Sequence, residues 1–142
     1  MMQNYNYKND MVIQRLLDQT QTIAVVGLSS DKMRAGYYVP AYLQRQGYRI
    51  IPVNPYLDQA LGEKAYPVLL SVPEPVDLVL LFRRSEAVPP FVDQAIQIGA
   101  KAVWMQLGII NTAAAETARQ AGLDVVMDAC MLVEHRRLRA RD

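Results

Sequence analysis

The stretch TIAVVGLSSDKMRAGYY, residues 22–38, decides how the rest of the chain is arranged. Its first part is apolar and mostly β-branched with no polar face, which is typical of a strand buried on both sides of a parallel sheet. The apolar run stops at Gly27, a polar loop follows, and residues 37–46 have helical periodicity. A strand, a glycine turn and a helix N-terminus in this order direct backbone N–H groups and the positive end of a helix dipole at one point. The sequence therefore predicts a phosphate-binding loop.

Composition limits the class of protein. The 142 residues predict one domain, residues 1–142, which can bury about two thirds of the surface that the unfolded chain exposes. Lys and Arg number 15 and Asp and Glu number 14, so the overall charge favours neither a nucleic-acid partner nor a membrane partner. The single cysteine, Cys130, excludes an internal disulfide and a cysteine-based zinc cluster. Because there is no signal-peptide pattern and no apolar run near the roughly 20 residues that cross a bilayer, we expect a cytoplasmic protein.

Four further apolar segments predict the other strands of the sheet. They are YRIIPVNP (48–55), VDLVLLF (76–82), KAVWMQLG (101–108) and LDVVMD (123–128). Helical segments separate these strands. The predicted C-terminal ends of the helices are Gly47, Gly99 and Gly122, and the predicted N-cap of the alanine-rich helix is either Asn111 or Thr112. Five apolar strands that alternate with helices predict an α/β fold, with a five-stranded, mainly parallel sheet covered by helices on both faces.

Some local features are less regular. A short helix is expected to start near Asp10 and to pack beside the first strand. Pro40 is expected near the first turn of its helix, where proline is tolerated. Residues 56–75 predict a loop with one short helix or extended turn, and residues 129–142 a short segment followed by a tail.

The predicted ligand site lies where the strands end. In sheets of this kind, ligands bind at the carboxyl ends of the strands, beside the point where the strand order reverses. We therefore expect one crevice that collects polar groups from residues 27–30, 54–56, 82–85, 106–108 and 128–130.

The loop does not match the usual pattern for a dinucleotide. The pattern GxGxxG is absent after the first strand, and residues 53–55 carry no acid that could bind the ribose hydroxyls of NAD. A ligand with more phosphate than NAD, such as NADP or coenzyme A, suits the cations that lie nearby, which are Lys32, Arg34, Arg83 and Arg84.

Several segments together carry a resemblance to a known family. They are VVGLSSDKMRAGYYV, IIPVNP, VDLVLLFRRSE, GAKAVWMQLGI and AGLDVVMDACMLVEH, within residues 22–135. The chain resembles the small stand-alone coenzyme A-binding proteins, whose domain is similar to the coenzyme A-binding domain of the succinyl-CoA synthetase α subunit. This resemblance implies a Rossmann-like, three-layer αβα fold and a ligand that is coenzyme A or an acyl-CoA.

The resemblance also implies where the ligand binds. The implied residues are Gly27, Ser29, Ser30 and Arg34 at the pyrophosphate, Val53, Asn54 and Pro55 on the adenosine side, Phe82, Arg83 and Ser85 along the third-strand loop, and Gln106 and Gly108 near the pantetheine.

Catalysis is not expected. In the synthetase a second domain supplies a phosphorylated catalytic histidine and a partner subunit binds the nucleotide, and this chain is too short for either. Its only histidine is His135, so neither a Ser, His and Asp set nor a metal cluster can be assembled from the sequence. We therefore predict no catalytic and no metal-binding residues.

Other interpretations of the pocket stay open. One is an NADP-linked oxidoreductase or another nucleotide-binding enzyme, and a second is a protein-interaction module with a vestigial pocket. The Gly27 loop could also be a tight turn without a ligand. The sequence leaves open which acyl group is bound and whether two chains pair as a homodimer.

The last part of the chain receives simple structural interpretations. Cys130 is expected to be a small buried apolar residue rather than a thiol partner of coenzyme A, because free cysteines are usually buried. His135 and Glu134 are expected to form a helix-end pair or a surface pair. A solvated C-terminus is expected for Arg136, Arg137, Arg139 and Arg141.

Overall fold

The computed structural model describes residues 5–139. The strands are β1 Thr22–Val26, β2 Arg49–Val53, β3 Gln59–Ala60, β4 Glu63–Lys64, β5 Leu78–Leu81, β6 Ala102–Met105 and β7 Asp124–Met127. The α-helices are α1 Asp10–Gln19, α2 Ala35–Arg45, α3 Val88–Gln97, α4 Thr112–Gln120 and α5 Met131–Arg139. Short 3-10 helices cover Leu69–Ser71 and Ser85–Ala87.

Five parallel strands form the main sheet in the order β2-β1-β5-β6-β7, and β3 and β4 form a small separate hairpin. Alternate residues of β1 point to opposite faces of the sheet. Ile23 and Val25 pack in one core with α1, α2 and α5, whereas Ala24 and Val26 pack in another with α3 and α4. This arrangement confirms the predicted α/β, Rossmann-like fold with three αβα layers.

The strand order reverses beside β1. The chain passes from β1 to β2 on one side and then crosses to β5 on the other side of β1. The strands β1 and β5 are neighbours, but the loops that follow them run in opposite directions. They therefore leave a crevice at the carboxyl ends of these two strands. This topology brings together the two loops that carry all four predicted cations.

The C-terminal part differs from the prediction of a short segment and a tail, because α5 occupies residues 131–139. Two of the arginines expected to be solvated tie this helix to α1: Arg137 pairs with Asp10 at 2.6 Å, and Arg139 pairs with Asp18 at 2.8 Å. Arg141 lies outside the described residues. Because α5 contacts both α1 and α2, it lies between them. The α1 helix contacts α5 and β7, and its buried residues share a core with Ile23 and Val25 of β1.

The expected pair of His135 and Glu134 is also wrong. The His135 side chain is buried between α5 and α2, where its Nδ1 shares a hydrogen bond of 2.8 Å with the hydroxyl of Tyr42. Glu134 instead pairs with Arg137 at 2.7 Å. Burial of the imidazole and the nearby charge of Arg139 lower the pKa of His135.

No helix within residues 5–139 is long and apolar enough to cross a membrane.

Candidate functional site

An open cleft of about 490 Å³ lies at the carboxyl ends of β5 and β6, next to the N-terminus of α2. Its lining residues are Ala35, Phe82, Arg83, Arg84, Ser85, Glu86, Gln106, Leu107, Gly108 and Ile109. Five of them, Phe82, Arg83, Ser85, Gln106 and Gly108, belong to the site expected from the sequence. Leu107 and Ile109 form an apolar wall that was not predicted, although Leu107 lies within the strand-end segment 106–108 expected in the crevice.

Gly27 allows the β1 loop to pass directly against the β5 loop. Its φ is +86°, and a Cβ atom there would lie 2.5 Å from the carbonyl oxygen of Phe82 and 3.2 Å from Cδ of Arg83. Its own N–H donates to the carbonyl of Val53 at 2.9 Å. The glycine is therefore required by the packing of two neighbouring loops as well as by the turn.

Pro40 positions the same loop, in a way that differs from the prediction. It is not in the first turn of α2 but is the sixth residue of this helix. Because proline has no N–H, the carbonyl of Gly36, four residues earlier, receives no helical hydrogen bond from it. That carbonyl accepts the N–H of Ser29 instead, at 3.0 Å. The proline thus leaves an acceptor free, and this acceptor holds the loop against the helix.

The N-terminus of α2 has backbone donors without acceptors. Its N-cap residue, Arg34, makes no side-chain capping bond, whereas Asn9 caps α1 and Asn111 caps α4. Within residues 5–139 the N–H groups of Ala35 and Gly36 have no acceptor. Free N–H groups and the positive end of the helix dipole suit an anion.

The side chains of the loop are mostly available to a ligand. Ser29 Oγ accepts the N–H of Asp31 at 3.0 Å, which shapes the turn. Ser30 and Lys32 are exposed and have no hydrogen-bond or ion-pair partner in the described part of the chain. The Arg34 side chain is 76% exposed, and its Nε lies 3.8 Å from the Asp31 carboxylate. Such a loose exposed pair restrains the guanidinium little.

The end of β2 supports the loop more than it offers free groups. The Val53 side chain is buried. Asn54 donates from Nδ2 to the carbonyl of Leu28 at 2.9 Å, and its Oδ1 accepts the N–H of Tyr56 at 2.8 Å. Pro55 is exposed, and Tyr56 is 92% exposed at the same edge. The accessible surface here is therefore apolar and aromatic, while Asn54 braces the β1 loop.

The β5 loop is joined to the β6 loop through Ser85. Its Oγ accepts the N–H of Ile110 at 2.9 Å, and its carbonyl accepts from Asn111 Nδ2 at 2.9 Å. The neighbouring Arg83 guanidinium lies 5.4 Å from the centre of the Phe91 ring. These contacts hold the loop in place and keep one cation beside the cleft.

The β6 loop is held from the side of β7 and α5. Gln106 is 4% exposed, and its Oε1 accepts the N–H of Met131 at 3.3 Å. Gly108 donates its N–H to Asp128 Oδ1 at 2.7 Å. This hydrogen bond, helped by the ammonium of Lys8, lowers the pKa of the Asp128 carboxyl. The sequence predicted Asp128 among the polar groups of the crevice, whereas in the structure it is not part of the cleft lining and bonds to the β6 loop instead.

His135 and Cys130, for which no catalytic role is expected, lie outside the cleft lining. His135 is engaged with Tyr42, and Cys130 is half-buried and packs against the core on the α1, α2 and α5 side of the sheet. Among residues 5–139, no three His, Cys, Asp or Glu side chains are grouped so that they could hold a metal ion.

Comparisons with known proteins identify relatives over most of the chain. The family described as the CoA binding domain matches residues 21–136. The uncharacterized protein YneT of Bacillus subtilis is 40% identical over 123 residues, which cover 87% of this chain and 91% of that protein. A hypothetical protein from Pyrococcus horikoshii OT3 has a similar structure, with a TM-score of 0.89, 37% identity, and coverage of 97% of this chain and 99% of that chain.

A larger enzyme contains a similar region. The ADP-forming acetate–CoA ligase II of Archaeoglobus fulgidus is 31% identical over 83 residues, which are 57% of this chain and 12% of the ligase. The chain therefore spans only a small part of this relative's length.

Proposed function

The chain belongs to the CoA-binding domain family, and on that premise we propose that residues 1–142 form a single binding domain for coenzyme A or an acyl-CoA. The observation that carries the proposal is the uncapped N-terminus of α2 beside the cleft, where the N–H groups of Ala35 and Gly36 lack acceptors among the described residues. The ligand's pyrophosphate binds at this helix end.

The loop around the helix end supplies the side chains for the phosphates. Ser29 and Ser30 offer hydroxyl donors, and Lys32 and Arg34 are cations exposed on the same loop. Because Gly27 has no side chain, the β1 loop packs directly against the β5 loop, and the phosphates can approach its backbone. Charge-assisted hydrogen bonds from Arg34 are expected to be the strongest of these side-chain contacts.

The rest of the ligand follows the carboxyl edge of the sheet. The adenosine side lies near Val53, Asn54 and Pro55, where the available surface is apolar. The pantetheine enters the cleft along the β5 and β6 loops, where its contacts are Phe82, Arg83, Ser85, Gln106 and Gly108.

We propose binding without catalysis, in the cytoplasm, for the purpose of sensing, storing or delivering the ligand. The position of the only histidine supports this proposal, since His135 is buried against Tyr42 in another part of the molecule. The cleft lining holds one hydroxyl and one carboxylate, those of Ser85 and Glu86. Ser85 Oγ accepts the N–H of Ile110, Glu86 lies 3.7 Å from Arg84 Nε, and no hydrogen bond joins the two side chains in the described part of the chain, as an activated nucleophile would need.

The experiment is a calorimetric titration of the wild-type protein with coenzyme A, acetyl-CoA, NADP and NAD. We expect coenzyme A to bind more tightly than NAD, because the cations of the two loops can meet its additional phosphate while no acid is available for a ribose diol. NAD binding of equal strength would refute the ligand assignment. If none of the four ligands binds, the proposed function is refuted.

The Arg34→Ala variant tests the phosphate site. Loss of a charge-assisted hydrogen bond costs about 1.5 to 3 kcal/mol, so coenzyme A should bind roughly ten- to a hundredfold more weakly. Because the Arg34 side chain is 76% exposed, the melting temperature should stay close to that of the wild type. Arg45→Ala is the matched control, since it removes an exposed arginine from the other end of α2. Equal affinities in the two variants would show that Arg34 does not bind the phosphates.

A further inference from the structure

Asp128 has an unusual backbone conformation at the end of β7. Its φ is +61°, and Leu61 is the only other non-glycine residue with a positive φ in the described part of the chain. Left-handed backbone is unfavourable for residues with a Cβ, although Asp and Asn tolerate it better than most. A strained residue that follows a strand of the sheet directly, at the edge where the cleft lies, points to a role in the site.

The Asp128 carboxylate is held by two groups. Its Oδ1 accepts the N–H of Gly108 at 2.7 Å, and its Oδ2 lies 3.3 Å from the ammonium of Lys8. The lysine belongs to the N-terminal segment that runs along the edge of the sheet, where the carbonyl of Tyr7 accepts the N–H of Met127 at 3.1 Å. The carboxylate therefore connects this segment to the β6 loop.

The bond to Gly108 is made with a particular peptide group. Residues 106–109 form a β-turn, because the N–H of Ile109 donates to the carbonyl of Gln106 at 2.8 Å. Gly108 occupies the third position with a φ of +84°, as a type II turn requires. The N–H that Asp128 accepts belongs to the central peptide of this turn. In a type I turn that peptide has the opposite orientation. By accepting the Gly108 N–H, the Asp128 carboxylate therefore selects the type II orientation of the central peptide.

The four residues of this turn all line the cleft, whereas Asp128 does not. We infer that Asp128 is a positioning residue for the ligand: its carboxylate holds the turn of residues 106–109 in the orientation that forms this wall of the cleft, and Lys8 holds the carboxylate. This inference rests on the proposed function, because the bound ligand is taken to be coenzyme A.

Two substitutions separate the acceptor from the backbone strain. Asp128→Gly removes the carboxylate and also relieves the left-handed conformation. Asp128→Asn keeps an acceptor oxygen at the same place on a residue that tolerates this conformation. Asp124→Ala is the control, since it removes the carboxylate of β7 that pairs with Arg15 and does not contact the turn.

We expect Asp128→Gly to bind coenzyme A about tenfold more weakly, because apparent affinity falls with the fraction of molecules that hold the turn in the binding orientation. Its melting temperature should stay near that of the wild type, since relief of the backbone offsets the lost hydrogen bond. Asp128→Asn and Asp124→Ala should stay within about threefold of the wild-type affinity. Wild-type affinity in Asp128→Gly, or equal losses in Asp128→Gly and Asp128→Asn, would overturn the inference.

A second readout does not depend on ligand. The amide proton of Gly108, followed by NMR as the pH is lowered, should shift as Asp128 is protonated in the wild type and should not do so in Asp128→Asn. If the wild type does not bind coenzyme A, the proposed function fails, and this titration still decides whether Asp128 holds the turn. A Gly108 signal that does not respond to the protonation of Asp128 overturns the inference in either case.

Discussion

The Gly27→Ala substitution tests how closely the β1 and β5 loops approach. A left-handed residue with a Cβ costs about 1 to 2 kcal/mol. The new Cβ would also lie 2.5 Å from the Phe82 carbonyl oxygen and 3.1 Å from its carbon, where ordinary contacts are 3.4–4 Å. The obstacle is backbone, so the β5 loop must move, and overpacking of this kind costs about 1 to 3 kcal/mol. The two contributions predict a loss of about 2 to 5 kcal/mol in the free energy of unfolding.

Gly99→Ala and Gly122→Ala are matched controls. Their φ values of +76° and +93° bracket the +86° of Gly27, and a Cβ at either position has no atom within 4 Å. These variants should lose only the backbone contribution of about 1 to 2 kcal/mol. The difference between them and Gly27→Ala then measures the collision with the β5 loop.

Urea denaturation gives the free energies of unfolding, and calorimetry gives the affinity for coenzyme A at a temperature where every variant is folded. We expect weaker binding in Gly27→Ala, because a displaced β5 loop changes the cleft, and wild-type affinity in both controls. If all three variants lose the same stability to within about 0.5 kcal/mol, the close approach at Gly27 does not constrain the fold, and the reasoning is refuted.

Pro40→Ala should weaken coenzyme A binding, since the restored N–H competes with Ser29 for the carbonyl of Gly36; calorimetry measures the affinity, and unchanged affinity would contradict this mechanism. His135→Asn should reduce the pH dependence of stability. Because burial lowers the pKa of His135 below its usual 6.5, the unfolded wild-type chain binds a proton that the native protein does not, and the free energy of unfolding falls as the pH drops below that value. Thermal denaturation from about pH 7.5 to 5.5 should show a steeper decrease for the wild type than for the variant, and equal slopes would rule out this contribution.

Much of the fold follows from local sequence patterns. All five main strands lie within the apolar segments that predict them, because a strand buried on both faces needs a continuous apolar run. The start of α1 at Asp10 and the cap of α4 by Asn111 also match their sequence signals. These features depend on neighbouring residues, so they can be read without knowledge of the fold.

The C-terminal helix shows why other features could not be predicted. Met131, His135 and Leu138 recur at helical spacing on one buried face, but the abundant arginines resemble those of a solvated tail. The helix is stabilised by partners far away in the chain, such as Asp10 for Arg137 and Tyr42 for His135. Periodicity alone cannot show that such partners exist.

The sequence by itself determined that a glycine loop between a buried strand and a helix would lie at the carboxyl edge of a parallel sheet. Only the tertiary structure decided why Gly27 cannot carry a side chain, since the obstacle is Phe82 in another loop. It also decided that Asp128 bonds to Gly108, because β6 and β7 are neighbours in the folded sheet. Apolar periodicity is a local property that records burial, whereas close approaches and hydrogen-bond partners depend on which distant segments the topology brings together.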